Sequence, residues 1–532
     1  MSDSTTPPNR SPWRMGALDW LAAGGVMVFF LAPLVFVWFP GGAGKLDSQG
    51  WPTFPWDSLA FSLVVAAVAA VVAVAVGTAA AMVLVLTKLP GKNVAATLLL
   101  LSFVCPPTVW TLGQLYCYGA GGLVERWWGD GWRPMLNNAN AGNFAATIFV
   151  LAQVHIPLVM LLVSRGLHRL HHSGFDAARL FLSRRMMWGW LLHAVRLEMM
   201  AAFLLVFALA LGNFAVPQVL QCRLYPMEIY LQMNNYADRT GAVWLAAPLV
   251  VAALLATWAM VRLERIQAFA QADAERLLAP WTIRGWLLLP AAALWLYVLA
   301  FTVLPILAML SECGSWSNFL QAMREAAQET ENTLVVGLLV AAVAVLGGWL
   351  VARVGVRQKG AAWDMAGMIP LGVPTLVLGL AYVRFYNQFW PHDWTYLGDT
   401  RWLLVFGLAA RAWPFSTRIA SSGYRRLAPE WVEAASLAGM SRWTRFRRIS
   451  APLLASDAAA AAVVAFVLSI GDVEISQMLV APGSGTLSLR LFTYLHFGPM
   501  HVTASLAVLQ LVLAAAPVFV YFLLTHRSVP VI

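Results

Sequence analysis

The sequence predicts an all-α integral membrane protein whose twelve transmembrane helices form two parallel six-helix repeats. Composition, the recurrence of long apolar runs, and self-similarity between the two halves predict it. Of the 532 residues, 60% are apolar and 11% charged, against about 25% charged in soluble domains. The 25 Asp and Glu and 35 Lys and Arg are too few to clothe the several soluble domains such a length would form, so the apolar surface belongs in lipid. The net charge of +10 punctuates apolar runs instead of clustering on a polar face, which argues against nucleic acid. Cys105, Cys117, Cys222 and Cys313 show no CxxC spacing; neither a zinc site nor a disulfide framework is indicated, and they read as small hydrophobes.

A helix crosses the hydrocarbon core with about 20 apolar residues. Such runs fall at 17–39, 58–86, 94–116, 144–165, 197–217, 243–262, 285–308, 333–354, 365–386, 402–422, 454–475 and 502–524. The first follows a polar tail, 1–16, with Arg10 and Arg14. It is too long for a signal-peptide core and reads as a retained span. With a cytoplasmic N-terminus, the inner segments hold 25 of the 35 Lys and Arg and the outer ones nine, which is the positive-inside pattern. It makes 263–284 a cytoplasmic linker and 525–532 a cytoplasmic tail. The outer segments carry Trp127, Trp128, Trp132, Trp390, Trp394 and Tyr396, suited to anchoring at the membrane interface.

The repeat is read from polar and Pro/Gly matches as well as apolar ones. SLVVAAVAAVVAVAVGTAAA at 62–81 aligns with TLVVGLLVAAVAVLGGWLVA at 333–352, placing Gly77 over Gly348. PTVWTLG at 107–113 matches PTLVLG at 374–379, with Pro107 over Pro374. Residues 155–180 match 412–437 at a constant offset of 257. Six spans per half insert both copies in one direction, as parallel repeats do. The halves are 17–262 and 285–524.

Between spans ten and eleven lies PEWVEAASLAGMSRWTRFRRISAP, 429–452. Pro429 suits a first helical turn, Glu430 and Glu433 favour a helix N-terminus, and Gly439 can take the positive φ of a C-cap. Ser441 then caps a second short helix that should end before Pro452. Arg442, Arg445, Arg447 and Arg448 interleave there with Trp443, Phe446 and Ile449. An amphipathic loop at anionic headgroups would carry such residues. It would not require the order Glu433-Ala434-Ala435, Gly439, Ile449, Pro452, which resembles the EAA loop of type I ABC importer permeases. Only Ala451, where that pattern has Leu, departs from it. The resemblance implies that this loop is the coupling helix docking on an ATPase subunit. The first half carries a degenerate copy at about 168–195. There Asp176-Ala177-Ala178 stands for the triplet, Leu182 for the Gly, Leu192 for the Ile and Val195 for the Pro. Ser173 with Asp176 makes a capping box. Coupling is therefore expected to be asymmetric.

Three further segments look like the fused iron(III)-type permeases, with thiamine permeases similar and polyamine permeases more distant. They are ARAWPF at 410–415, LGNFAVPQVL at 211–220 and LVAPGSGTLSLRLFTYLHFG at 479–498. Ferric iron is the first expectation for the cargo. The chain has no phosphate-binding loop: GGAGKL at 41–46 lacks the first Gly and the hydroxyl of that motif. The chain is thus expected not to be an enzyme and to bind no cofactor, with ATP used by a separate ATPase, two copies, in the bacterial inner membrane. An extracytoplasmic binding protein would dock on the outer loops 221–242 and 476–501.

Charged and proline residues at membrane depth are the path candidates. Arg411 either offers a positive charge to cargo or pairs with a carboxylate inside the bundle. His155 is a weak metal-ligand candidate, packing being the plainer reading. Asn213 and Asp472, with Glu474 beside it, occupy corresponding places and either line an outer gate or sit solvated at helix ends. Pro107 and Pro374, with Pro106, break helical hydrogen bonding and should border the path. A secondary transporter with parallel repeats is the alternative class. The loop from Lys88 to Lys92 lacks the G-x-x-x-D-R signature expected there. A membrane enzyme or scaffold would need a catalytic constellation that the loops do not supply.

Overall fold

The computed structural model describes residues 17–38, 54–129, 142–170, 172–235, 238–269, 281, 283, 285–358, 361–389, 401–427, 431, 434–435 and 437–525. Among these residues the chain is helical without strands, apart from one isolated bridge between Thr87 and Trp281. The first half runs α1 Ala17–Phe36, α2 Trp56–Leu86, α3 Lys92–Val104, α4 Pro107–Tyr118, α5 Gly142–Leu167, α6 His172–Phe181, α7 Arg184–Ala194, α8 Arg196–Leu211, α9 Ala215–Val219, α10 Tyr225–Asn234 and α11 Arg239–Phe269. The second runs α12 Leu288–Val298, α13 Leu304–Glu312, α14 Trp316–Glu325, α15 Ala327–Gln358, α16 Ala361–Met368, α17 Thr375–Phe389, α18 Arg401–Arg426, α19 Arg442–Arg445, α20 Ala451–Ile470, α21 Glu474–Leu479, α22 Leu487–Phe497 and α23 Met500–Thr525.

Among the described residues every expected span overlaps helix, but not every one is a single straight rod. Among the described residues eight helices are long and apolar enough to cross a membrane, and three bent pairs raise the number to eleven. The twelfth position, α18, spans 26 residues but carries Arg411, Arg418, Arg425 and Arg426 and is too polar to qualify. Spans three and nine bend by 111° and 104°, and the prolines explain where. Cys105 and Val373, each followed by proline, are extended, because proline disfavours helix at the residue before it. Pro107 then begins α4, while the Pro374 carbonyl accepts the Leu378 N–H at 2.9 Å at the start of α17. These prolines start new helices, where a missing N–H costs little, and do not interrupt continuing ones.

Small residues set the packing. α2 lies on α5 and α8, and α15 on α18 and α20. A Cβ on Gly77 would come 2.7 Å from Val159 Cβ, and one on Gly348 would come 2.9 Å from Ser416 Cβ. Membrane helices associate closely where such side chains are absent. The helices that begin each half cross over: α1 packs on α15 and α17, and α13 on α4. One buried cluster therefore runs through both halves, joining Val109 and Leu211 to Leu376 and Ile475. All four cysteines are buried and free of disulfides.

Candidate functional site

A cavity of about 110 Å³ lies where the two bent spans meet the ends of α8 and α20. Pro106 and Pro107 from one half and Pro374 from the other line it, with Gly212, Asn213, Gly471, Arg411, His155 and Glu474. The walls are close-fitting across the halves. A Cβ on Gly212 would approach Pro374 Cα to 3.2 Å, and one on Gly471 would approach Pro106 Cβ to 3.0 Å.

Of the predicted path residues, Arg411, Asn213, Pro107 and Pro374 thus line one cavity. Asp472 stands behind it. The Arg411 guanidinium is paired with the Asp472 carboxylate, whose side chain is 0% exposed against 27% for the arginine. The other Asp472 oxygen accepts the Ile475 N–H at 2.7 Å. Asn213 does the corresponding thing in the first half, its side-chain oxygen accepting the Val216 N–H at 3.0 Å. The alternative that these residues sit solvated at helix ends is corrected for Asp472 and Glu474, which are 2% and 4% exposed.

Glu474, named in the sequence only as a neighbour of Asp472, has the more unusual surroundings. Its Oε1 accepts the backbone N–H groups of Phe214 at 2.8 Å and Ala215 at 3.3 Å, joining α21 to the start of α9 across the halves. Its Oε2 is buried and has no hydrogen-bond partner among the described residues. One signal was available: at the offset of 259 that relates Asn213 to Asp472, Glu474 falls on Ala215, so the second half holds a charge that the first lacks. His155 Nδ1–H donates to Leu151 O at 2.7 Å; among the described residues no group of three or more His, Cys, Asp or Glu could hold a metal ion.

The loop after α18 lies far along the same helix. Glu433 is outside the described residues, as are Pro429 and Glu430. Ala434 and Ala435 are helical, and Gly439 has φ +74°. The Ala434 and Ala435 carbonyls accept the N–H groups of Ala438 and Met440, so the turn closes the helix as a left-handed C-cap does. Ser441 Oγ then accepts the Thr444 N–H at 3.2 Å. The expectation that this second helix ends before Pro452 is corrected: a π-turn at Phe446–Ser450, containing Ile449, carries it into α20, with Pro452 in the first turn. Proline cannot donate to the carbonyl four residues back, and a wider turn there accommodates the loss. The first-half loop places Asp176, Ala177 and Ala178 on α6, and the chain bends by 58° at Val195, between α7 and α8. Each loop holds out a leucine at the same offset, Leu180 at 80% and Leu437 at 90% exposed. Each is also braced to the helix that follows: Arg169 reaches Glu198 at 3.8 Å, and Arg426 pairs with Asp457.

Residues 344–529 match the family model described as binding-protein-dependent transport system inner membrane component. The chain is similar to the molybdenum transport system permease protein ModB of Mycobacterium tuberculosis, 30% identical over 248 residues, which are 43% of this chain and 87% of the relative. It is also similar to the putative 2-aminoethylphosphonate transport system permease protein PhnV of Salmonella typhimurium, 25% identical over 227 residues, 40% of this chain and 83% of that one. The sulfate transport system permease protein CysT of Escherichia coli is 25% identical over 170 residues, 30% of this chain and 60% of the relative.

Proposed function

The chain belongs to the inner-membrane permeases of binding-protein-dependent ABC transport systems, and on that premise we propose that it is a fused permease carrying both halves of a type I importer pathway. Paired features support the fusion. Gly77 and Gly348 each seat a crossing helix. Asn213 and Asp472 make the same backbone bond, and Arg169–Glu198 and Arg426–Asp457 brace corresponding positions. The domain boundaries are then 17–262 and 285–524 about a cytoplasmic linker at 263–284, with twelve spans and both termini cytoplasmic.

The loops at about 168–195 and 429–452 receive the force of two copies of a separate ATPase. The exposed pair Leu180 and Leu437 carries this reading: a large apolar side chain held out beside a tight turn fits a partner groove. Hydrolysis by that partner would rock the halves about the cavity, so that it opens alternately to either side. An extracytoplasmic binding protein delivers cargo at 221–242 and 476–501. For the cargo, the resemblance orders ferric iron before thiamine or a polyamine. All three are cations, whereas the relatives' names specify molybdenum, sulfate and an aminophosphonate.

Co-purification from membranes with the ATPase subunit tests the coupling. Glu433→Arg should abolish association, and Asp176→Arg should weaken it less, because the second loop keeps Gly439 where the first has Leu182. Equal loss refutes the asymmetry, and uptake driven by a proton gradient without any ATPase refutes the coupling itself.

A further inference from the structure

The charges around the cavity do not cancel. Arg411 is paired with Asp472 and is also within electrostatic reach of Glu474, so one guanidinium faces two carboxylates and one negative charge remains over. The Glu474 carboxylate is 4% exposed, spends one oxygen on Phe214 and Ala215, and leaves the other without a hydrogen-bond partner among the described residues. An unsatisfied acceptor at such depth is costly, and more so when charged. His155 supplies a second acceptor on the same walls. Since Nδ1–H is given to Leu151 O, the neutral ring presents Nε2 as a lone pair. Phe103 and Phe415 also line the cavity, and aromatic faces attract cations.

We propose that the cavity contains a subsite for the positively charged, N–H-bearing group of a small organic cation, with Glu474 and His155 as its acceptors. This rests on the permease reading above and narrows the class of cargo: it favours an amine-bearing cation over a bare ferric ion and over an oxyanion. Arg411 is then a structural partner of Asp472 and does not recognise the cargo.

The full-length chain in lipid nanodiscs would be titrated with ethanolammonium chloride, following tryptophan fluorescence. Choline chloride, potassium chloride and sodium sulfate at equal ionic strength are the comparison arms. Ethanolammonium should give a saturable change, choline should bind at least about tenfold more weakly for want of N–H donors, and sulfate should give none beyond potassium chloride. Glu474→Gln keeps an oxygen for the Phe214 and Ala215 N–H groups but removes the charge, and should weaken ethanolammonium at least about tenfold. His155→Asn should produce a smaller loss, and it decides the matter if Glu474→Gln lowers the melting temperature of the unliganded protein. A saturable sulfate response, no ethanolammonium response beyond potassium chloride, or an unchanged response in folded variants overturns the proposal. The titration uses no ATPase. Its failure with co-purification intact removes the subsite and leaves the permease, and the reverse pattern removes the coupling and leaves the subsite.

Discussion

The Arg411–Asp472 pair makes the sharpest energetic prediction, because its two members are unequally buried. Arg411→Met leaves the Asp472 carboxylate, 0% exposed, with one oxygen still on the Ile475 N–H and the other unpaired. Removing one partner of a buried pair costs about 3–5 kcal/mol, which is roughly two to three and a half orders of magnitude in the folding equilibrium. Asp472→Asn is different. The amide oxygen can still accept from Ile475, as Asn213 accepts from Val216 in the first half. The guanidinium, 27% exposed, keeps its electrostatic interaction with Glu474 and can turn to water in the cavity. That loss resembles an exposed pair, about 1 kcal/mol or less. The double variant should lie within about 1 kcal/mol of Asp472→Asn, giving a coupling energy of about 2–6 kcal/mol. Reversible unfolding in mixed detergent micelles, followed by tryptophan fluorescence, measures all four corners of the cycle. Two results refute the reasoning: Asp472→Asn costing as much as Arg411→Met, or single effects that add within about 0.5 kcal/mol.

Two further perturbations use the same preparations. Gly348→Ala places a Cβ 2.9 Å from Ser416 and from the Thr417 backbone nitrogen and should cost about 1–3 kcal/mol. Gly24→Ala on α1, with nothing within 4 Å, should be neutral or gain up to about 1 kcal/mol; equal shifts in the same unfolding assay would contradict the packing account. Gly439→Val forces a β-branched residue to φ +74°, a strain of about 1–3 kcal/mol, and should reduce co-purifying ATPase while Gly439→Asn largely restores it. Equal retention by both variants would show that the turn does not need its left-handed residue.

Much of this was legible because lipid makes composition speak. A run of apolar residues long enough to cross has few other homes, so the predicted segments overlap helix among the described residues, eight of them as single long apolar helices and three as bent pairs. Gly439 read correctly as a left-handed cap, since few residues other than glycine adopt that conformation without cost. The bends were harder. Prolines identify where helical bonding fails, but Pro107 starts a helix after a 111° turn while Pro452 passes into α20 through a π-turn. The bend in the corresponding first-half loop falls at Val195, where there is no proline at all. Tertiary packing decides between a corner and a bulge, and no local propensity reports it.

The site was least legible where it departs from the repeat. Gly77 with Gly348, and Asn213 with Asp472, announce themselves because each has a counterpart. Arg411 and Glu474 do not: they fall on Val154 and Ala215 at the offsets of their neighbours, and alignment alone scores them as mismatches. Yet a path between two similar halves needs its chemistry on the axis only once, and a second buried Arg or Glu would bring another charge to be matched. The excess is one carboxylate, Glu474, bonded to the backbone of the opposite half. In the duplicated arrangement proposed above, unmatched polar positions flanked by matched ones are therefore the places to look for the site, and the matched positions mark the scaffold that holds them.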